Sequence, residues 1–239
     1  TPNLQGVPVR SRNEEGRTVY GDAVGYVQRV DVTELQKYAE KKHIRIVVAA
    51  LPGTLCAPGR ALAFVYPDSA SAAEVDEKRI VRAFLTGDGR AFDEDPRFGL
   101  VVLSEIASRA LSPGVNDPGT AIDVIGTLVR LFTIWVTPCE KTDRRIKKCD
   151  RVEVPELNVS DMFDDAFKPV ARDGAKIVEV VIRLQKALES LSVAGDDRMR
   201  EAAMHQARQT LARAERAIDL PEDLEAARAA SAFACREQD

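Results

Sequence analysis

The chain has 239 residues, of which 45% are hydrophobic and 30% charged, and its formal net charge is −4. This length and composition are typical of a globular protein that can bury a sizeable hydrophobic core. The small net charge and the 5% content of aromatic residues argue against a protein that binds nucleic acid through a basic surface and stacked bases.

The start of the chain is polar and carries no initiator methionine, since it begins at Thr1. Residues 1–17 are therefore predicted to be a linker from a transmembrane region that lies upstream. No run of eighteen uninterrupted apolar residues follows, so the chain itself is expected to be soluble.

Strand-like segments between residues 18 and 68 predict a small β-rich subdomain. They are TVY at 18–20, GYVQRVD at 25–31, IRIVVAAL at 44–51 and RALAFVY at 60–66. The intervening segment VTELQKYAEKKH predicts a short helix with Thr33 as its N-cap. Pro52-Gly53 and Pro58-Gly59 predict tight turns.

From residue 69 to residue 239 the apolar residues recur at helical spacing, which predicts a helical subdomain. The predicted helices cover about 73–85, 96–111, 118–136, 160–171, 177–195, 196–218 and 221–233. RVEVPEL, near residue 154, suggests one more short strand. The predicted fold class is therefore α+β, with a β-rich unit followed by a mostly helical bundle.

The helix predicted at 118–136 is apolar almost all round, so it needs burial on several sides. Asp123 and Arg130 lie inside it and argue against a bilayer span, because a charge at mid-membrane is costly. A central core helix or a subunit interface fits these residues better.

A distinctive string separates the helices predicted at 96–111 and 118–136. It contains Ser112, Pro113, Gly114, Asn116, Asp117 and Pro118. One interpretation is a rigid corner, in which Ser112 to Gly114 stop the first helix and Asp117 caps the second, with Pro118 as its first residue. Asn116 and Asp117 would then satisfy unpaired backbone donors.

The other interpretation of this string is a cation site. Ser112, Asn116 and Asp117 could converge with Asp93 and Asp95 of an acidic run, and Mg²⁺ or Ca²⁺ prefers such oxygen ligands. The spacing does not fix six oxygen ligands, and the acidic run also suits a solvated loop or a cap for the helix at Pro96. Ser112 as a nucleophile is disfavoured, because no GxSxG elbow surrounds it.

The cysteines and histidines do not indicate a zinc site, because none of the four cysteines forms a CxxC pair. Cys139 and Cys149 could pair across a hairpin in an oxidising compartment, but reduced thiols are the favoured interpretation. His43 and His205 are expected to be structural or surface residues.

Several of these segments together resemble a known family. They are Gly25-Tyr26-Val27-Gln28 with Val30-Asp31, the two Pro-Gly turns, and the string from Arg109 to Pro118. They resemble bacterial predicted membrane proteins grouped as domain of unknown function 2254. The resemblance implies an upstream transmembrane region and a soluble C-terminal portion, and it implies no known reaction.

Further matches to the family pattern are Asp93 to Asp95 before Phe98-Gly99, and Arg172-Asp-Gly174. Gly119, where a bulkier residue is common, and the insert from Cys139 to Cys149 depart from it.

The β-rich segment is also similar to the barrel-sandwich hybrid of lipoyl and biotinyl domains. A carrier of that kind needs a lysine at an exposed hairpin tip, whereas Lys37, Lys41 and Lys42 fall in the predicted helix. The similarity therefore suggests a fold and not a carrier function.

Together these features predict the extramembrane domain of a bacterial inner-membrane protein, facing the cytoplasm and acting as a non-enzymatic assembly or regulatory module. Its expected partners are its own upstream transmembrane region and further copies of itself, without nucleic acid. No cofactor is expected, although Mg²⁺ or Ca²⁺ would suit the alternative function, a cation- or small-ligand-binding sensor. A hydrolytic enzyme is the third and least favoured hypothesis.

Overall fold

The computed structural model describes residues 6–9, 16–68, 75–137 and 149–235, and the chain divides into two units. Unit 1 combines residues 1–98 with residues 141–157, and unit 2 combines residues 99–140 with residues 158–239. The first unit is thus assembled from two separated stretches of sequence.

Unit 1 contains all eight strands of the described residues. In chain order its elements are β1 (Gly6–Pro8), β2 (Arg17–Tyr20), β3 (Gly25–Val30), α1 (Val32–Lys42), β4 (Ile44–Val48), β5 (Leu55–Cys56), β6 (Ala61–Pro67), α2 (Glu77–Val81), β7 (Phe84–Gly87) and, after an excursion into unit 2, β8 (Cys149–Val154).

These strands form two sheets. The larger sheet has the order β1-β8-β4-β6-β2, and β8 pairs parallel to both β1 and β4, whereas β6 pairs antiparallel to β4 and β2. The smaller sheet has the order β5-β3-β7 and is antiparallel. The α+β class is confirmed, but this mixed strand order gives no support to the expected likeness to a barrel-sandwich hybrid.

Helix α1 packs on β8 and β4 through its apolar face. Val32, Leu35 and Ala39 recur at helical spacing, so they lie on this one face and are buried. Buried Gln36 adds a polar connection: its side chain donates to Asp150 at 2.9 Å and accepts from the amide of Arg151 at 2.9 Å. The returning strand β8 is thereby fixed to α1 as well as to its neighbours in the sheet.

The cap of α1 and the length of α2 differ from the sequence predictions. Asp31, and not Thr33, caps α1, because its carboxylate accepts from the amide of Glu34 at 2.9 Å. The helix predicted at 73–85 is only the short α2, since Phe84 lies in β7 and completes the small sheet.

Residues 1–17 were predicted as linker, yet residues 6–8 form β1, which pairs with β8, and residue 17 begins β2. The division at residue 68 likewise differs from that of the structure, because β7 and β8 both join the sheets of unit 1.

Unit 2 is helical. Its elements are α3 (Pro96–Ala110, whose first residues belong to unit 1), α4 (Pro118–Val136), α5 (Val159–Asp173), α6 (Val178–Ala194), α7 (Asp197–Ala214), α8 (Pro221–Ala230) and a 3₁₀ turn (Ala232–Cys235). Helix α6 packs against α4, α7 and α8, and α5 packs against α7.

The core of unit 2 contains three aromatic rings between α4 and α5. Phe132 lies 4.6 Å from Phe163 and 5.6 Å from Phe167, measured between ring centroids. Asn158 and Asp196 cap α5 and α7 by accepting amide hydrogen bonds three residues ahead, so the predicted cap at Asp196 is confirmed.

Helix α4 has the predicted bounds but not the predicted burial. Its buried residues form one stripe: Ala121, Val124, Ile125, Leu128 and Phe132. Leu131 is 41% exposed and Ile134 is 69% exposed, so the helix is covered on one face and not on several. Among the described helices, α4 alone is long and apolar enough to cross a membrane, and 28% of its most apolar stretch is buried.

Candidate functional site

The string between α3 and α4 forms a tight corner made by hydrogen bonds to its own backbone. The amides of Val115 and Asn116 both donate to the carbonyl of Ser112, at 3.0 and 2.8 Å, and the amide of Asp117 donates to the carbonyl of Ala110 at 2.8 Å. Asn116 adopts a left-handed conformation with φ of 49°, which asparagine tolerates better than most residues.

Asp117 caps α4 as predicted. Its carboxylate accepts from the amide of Thr120 at 3.1 Å and from the hydroxyl of Thr120 at 2.6 Å, and Pro118 is the first helical residue. These bonds, first that from the Thr120 hydroxyl and then that from its amide, lower the pKa of Asp117. The interpretation of this string as a helix corner is thus supported at Asp117.

The other polar residues of the corner serve the backbone in different ways. The hydroxyl of Ser112 donates to the carbonyl of Arg109 at 2.7 Å, at the end of α3. The side chain of Asn116 forms no hydrogen bond among the described residues, so it contributes its backbone conformation and not the expected satisfaction of donors.

The acidic run in unit 1 has a different environment at each of its residues. Asp93 is exposed, Glu94 lies 3.4 Å from the amide of Val30, and Asp95 is 2% exposed. Asp95 also accepts from the amide of Phe98 at 3.1 Å, so it supports the first turn of α3 just as Asp117 supports that of α4.

Buried Asp95 forms a bidentate ion pair with Arg90. Nε of Arg90 lies 2.7 Å from one carboxylate oxygen, and Nη2 lies 2.9 Å from the other. The guanidinium also lies 5.2 Å from the ring centroid of Phe98, which stacks on Phe92 at 4.6 Å. A charge this deeply buried is stable only when it is paired in this way.

The Pro52-Gly53 turn lies directly on this ion pair. Gly53 has φ of 90°, and a Cβ at this position would collide with the carboxylate of Asp95 and lie 2.9 Å from Arg90. The amide of Gly53 donates to the carbonyl of Val27 at 2.8 Å, which ties the turn to β3. Only glycine fits here, because both the conformation and the space exclude a side chain.

Three of the strings that carry the family resemblance therefore meet in unit 1. They are the GYVQ strand, the Pro-Gly turn at residue 53 and the acidic run. Gln28 of the first string donates to the carbonyl of Gly89 at 2.8 Å, next to Arg90. Sequence inspection missed Arg90, because its loop has no helical or strand periodicity that would place it beside Asp95.

The structure also shows where the proposed cation ligands lie. Asp93 and Asp95 belong to unit 1, and Asn116 and Asp117 belong to unit 2. Within the described part of the chain, no group of three or more His, Cys, Asp or Glu residues could hold a metal ion. Asp95 and Asp117 already accept the hydrogen bonds given above, so a cation would have to compete with them, and the cation site stays a prediction.

The histidines lie apart from any buried polar cluster. His43 ends α1 with φ of 52°, His205 lies in α7, and both are exposed. Burial raises the pKa of the Cys149 thiol, with smaller contributions from Glu40 and Asp150. Cys139 lies outside the described residues, so its pairing with Cys149 also stays a prediction.

An open surface pocket beside α1 was not indicated by the sequence. It has a volume of about 380 Å³ and is lined by Asp31, Glu34, Asp76, Arg79, Arg82 and Ala83. Its charges partly neutralise one another, since Arg79 donates to Glu34 at 2.7 Å and Asp31 caps α1. The pocket thus has the charges of a surface ion-pair network.

The sequence profile of a family described as predicted membrane protein, domain of unknown function 2254, matches residues 3–190. The chain belongs to this family. The resemblance inferred from the GYVQ, Pro-Gly and SPG-x-NDP strings is therefore confirmed, and so is the connection with membrane proteins.

Uncharacterised proteins of mycobacteria are similar to part of the chain. An uncharacterised protein of Mycobacterium tuberculosis strain CDC 1551 is 34% identical over 124 residues, which cover 51% of this chain and 24% of the relative. An uncharacterised protein of Mycobacterium bovis matches with the same identity and coverage. The matched part thus spans about a quarter of the length of these relatives. No solved structure matches the chain.

Proposed function

We propose that this chain is the extramembrane part of a membrane protein of this family, and that it acts as a non-enzymatic module through which copies of the protein assemble. The observation that carries the proposal is α4, an apolar helix with one covered face. Exposed apolar surface on a folded protein commonly marks an interaction site.

The polar groups that sequence inspection singled out support a non-enzymatic role. Asp95 neutralises Arg90, Asp117 caps α4, and the hydroxyl of Ser112 donates to the backbone. Each has a structural task, and neither histidine lies in a hydrogen-bonded arrangement with a nucleophile in the described residues.

Self-association of the 239-residue chain tests the proposal. We expect sedimentation analysis to show a concentration-dependent oligomer, and Ile134→Ser to weaken it, because Ile134 is a 69% exposed apolar residue of α4. Val193→Ser is the matched control, since Val193 is an 82% exposed apolar residue of α6 in the same unit. A chain that stays monomeric at all concentrations would refute the assembly function.

The orientation in the membrane is a second part of the proposal. We place this domain in the cytoplasm, because Cys56 and Cys235 are free cysteines, as expected in a compartment that keeps thiols reduced. A membrane-impermeant maleimide should label Cys235 of the full-length protein only after the cells are permeabilised. Labelling in intact cells would contradict this orientation.

A further inference from the structure

The uncovered face of α4 is the face opposite its buried stripe. It carries two opposite charges, and their spacing makes the helix complementary to a reversed copy of itself. Asp123 and Arg130 are both exposed, and they are separated by seven residues, or about two helical turns. Among the described residues neither has an ion-pair partner, although Arg130 donates to the hydroxyl of Thr127 at 2.8 Å.

We propose that two copies of this chain pair through antiparallel α4 helices, with Asp123 of each copy facing Arg130 of the other. This inference rests on the proposed assembly function and names its interface. Reversing one helix about the point between Gly126 and Thr127 exchanges the positions of residues 123 and 130, so one contact generates two identical ion pairs related by a two-fold axis.

The charges disfavour the parallel alternative. In a parallel pair in the same register, Asp123 would face Asp123 and Arg130 would face Arg130, and such like-charge contacts are unfavourable. The antiparallel arrangement converts both repulsions into attractions. It also places Leu131 and Ile134, the exposed apolar residues of the helix, beside the partner and out of water.

The centre of the face is open enough for two helices to approach each other. Gly126 lies at the proposed axis, and a Cβ built on it would meet no atom closer than Nη1 of Arg130, at 3.8 Å. With 19 residues α4 is about 28 Å long. A contact through one helix is smaller than the interfaces of tight complexes, so we expect a dimer with micromolar affinity.

A lipid surface is the competing occupant, because α4 is long and apolar enough for a membrane span. The position of the charges disfavours it. Asp123 and Arg130 lie near the middle of the helix, on the uncovered face, where a bilayer would have to accept both charges. A second copy neutralises both charges instead.

Charge reversal in the 239-residue chain tests the pairing, with dimerisation measured by sedimentation equilibrium and folding checked by circular dichroism. Asp123→Arg or Arg130→Asp alone should each weaken the dimer at least about tenfold, because each places like charges across both contacts. The double variant should dimerise like the native chain. A mixture of the two single variants should form a heterodimer, because each supplies the charges that the other lacks.

Glu105→Arg is the matched control, since Glu105 is an exposed acidic residue of α3, and it should leave the dimer unchanged. If the native chain dimerises while the single variants dimerise equally well, the α4 pairing is wrong and the assembly function stands. If the native chain is monomeric at all concentrations, the assembly function is wrong, and the α4 pairing that rests on it is wrong as well. A lipid surface would replace the second copy as the occupant if the monomer binds vesicles of phosphatidylethanolamine and phosphatidylglycerol while the mixture of the two single variants forms no heterodimer. This result would overturn the inference.

Oxidative cross-linking tests the direction independently, in a background with Cys139→Ser and Cys235→Ser. Two Gly126→Cys copies would be offset by about 1.5 Å along the antiparallel axis and should cross-link, whereas two Ile134→Cys copies would be offset by about 22 Å and should not. Efficient cross-linking at both positions would show a parallel pair and overturn the proposal.

Discussion

Replacing Asp95 with alanine should destabilise unit 1 by about 4 kcal/mol. Breaking a buried ion pair costs about 3–5 kcal/mol, and the lower end applies here because the Arg90 side chain is 22% exposed and can turn partly to water. Loss of the hydrogen bond from the Phe98 amide at the start of α3 adds about 1 kcal/mol. The melting temperature of unit 1 should fall by more than about 10 °C.

Urea denaturation followed by far-ultraviolet circular dichroism measures this loss, and Asp93→Ala is the control. Asp93 is an exposed acidic residue of the same run, so its replacement should change the free energy of unfolding by less than about 0.5 kcal/mol. Arg90→Ala and the double variant complete a mutant cycle, in which the two single losses should not add. An Asp95→Ala chain as stable as the Asp93→Ala chain would refute the role assigned to the ion pair.

Three further predictions concern the turns, the cap and the returning strand. In urea denaturation, Gly53→Ala should lower the free energy of unfolding by at least about 2 kcal/mol more than Gly59→Ala, because φ is positive at both positions but only a side chain at position 53 meets other atoms. Equal losses would contradict the contact of Gly53 with Asp95. Asp117→Asn should weaken the acid dependence of stability. Hydrogen bonds lower the folded pKa of Asp117 below its ordinary value, so its stabilisation is present above the unfolded pKa and is lost as the pH falls through the folded pKa. Thermal melts of the native chain and of Asp117→Asn between about pH 5 and about pH 2 measure this, and identical pH profiles of the two chains would refute it. Gln36→Leu should speed hydrogen exchange of the Arg151 amide, because it removes the acceptor of that amide. The free energy that protects the amide from exchange should fall by about 1–3 kcal/mol. An unchanged exchange rate would contradict the connection between α1 and β8.

The helices and most strands could be predicted because caps, apolar spacing and branched residues are local features of the sequence. The bounds of α3 and α4 follow from the two Asp-Pro caps, and the strand β4 follows from its run of branched residues. β7 was missed because its pairing partner, β3, lies more than 50 residues earlier, and a short apolar segment such as FLTG suits a helix equally well.

The site was predictable in its parts but not in its assembly. The strings containing Gly53 and Asp95 were recognised, and the cap at Asp117 was derived from local chemistry. Arg90 could not be paired with Asp95, because an ion pair in an irregular loop depends on tertiary placement and not on spacing. The exposure of Ile134 could not be predicted either, because the apolar residues of a helix do not indicate which of its faces the rest of the fold covers.

The return of β8 has a consequence for the order in which the protein is made. β8 lies between β1 and β4 in the sheet, yet it leaves the ribosome only after α3 and α4. Until then, β4 presents an unpaired apolar edge, and such edges are prone to aggregate. The nascent chain is therefore most exposed to edge-to-edge association during this interval. Any attempt to express unit 1 alone must join residues 149–154 to the first 98 residues.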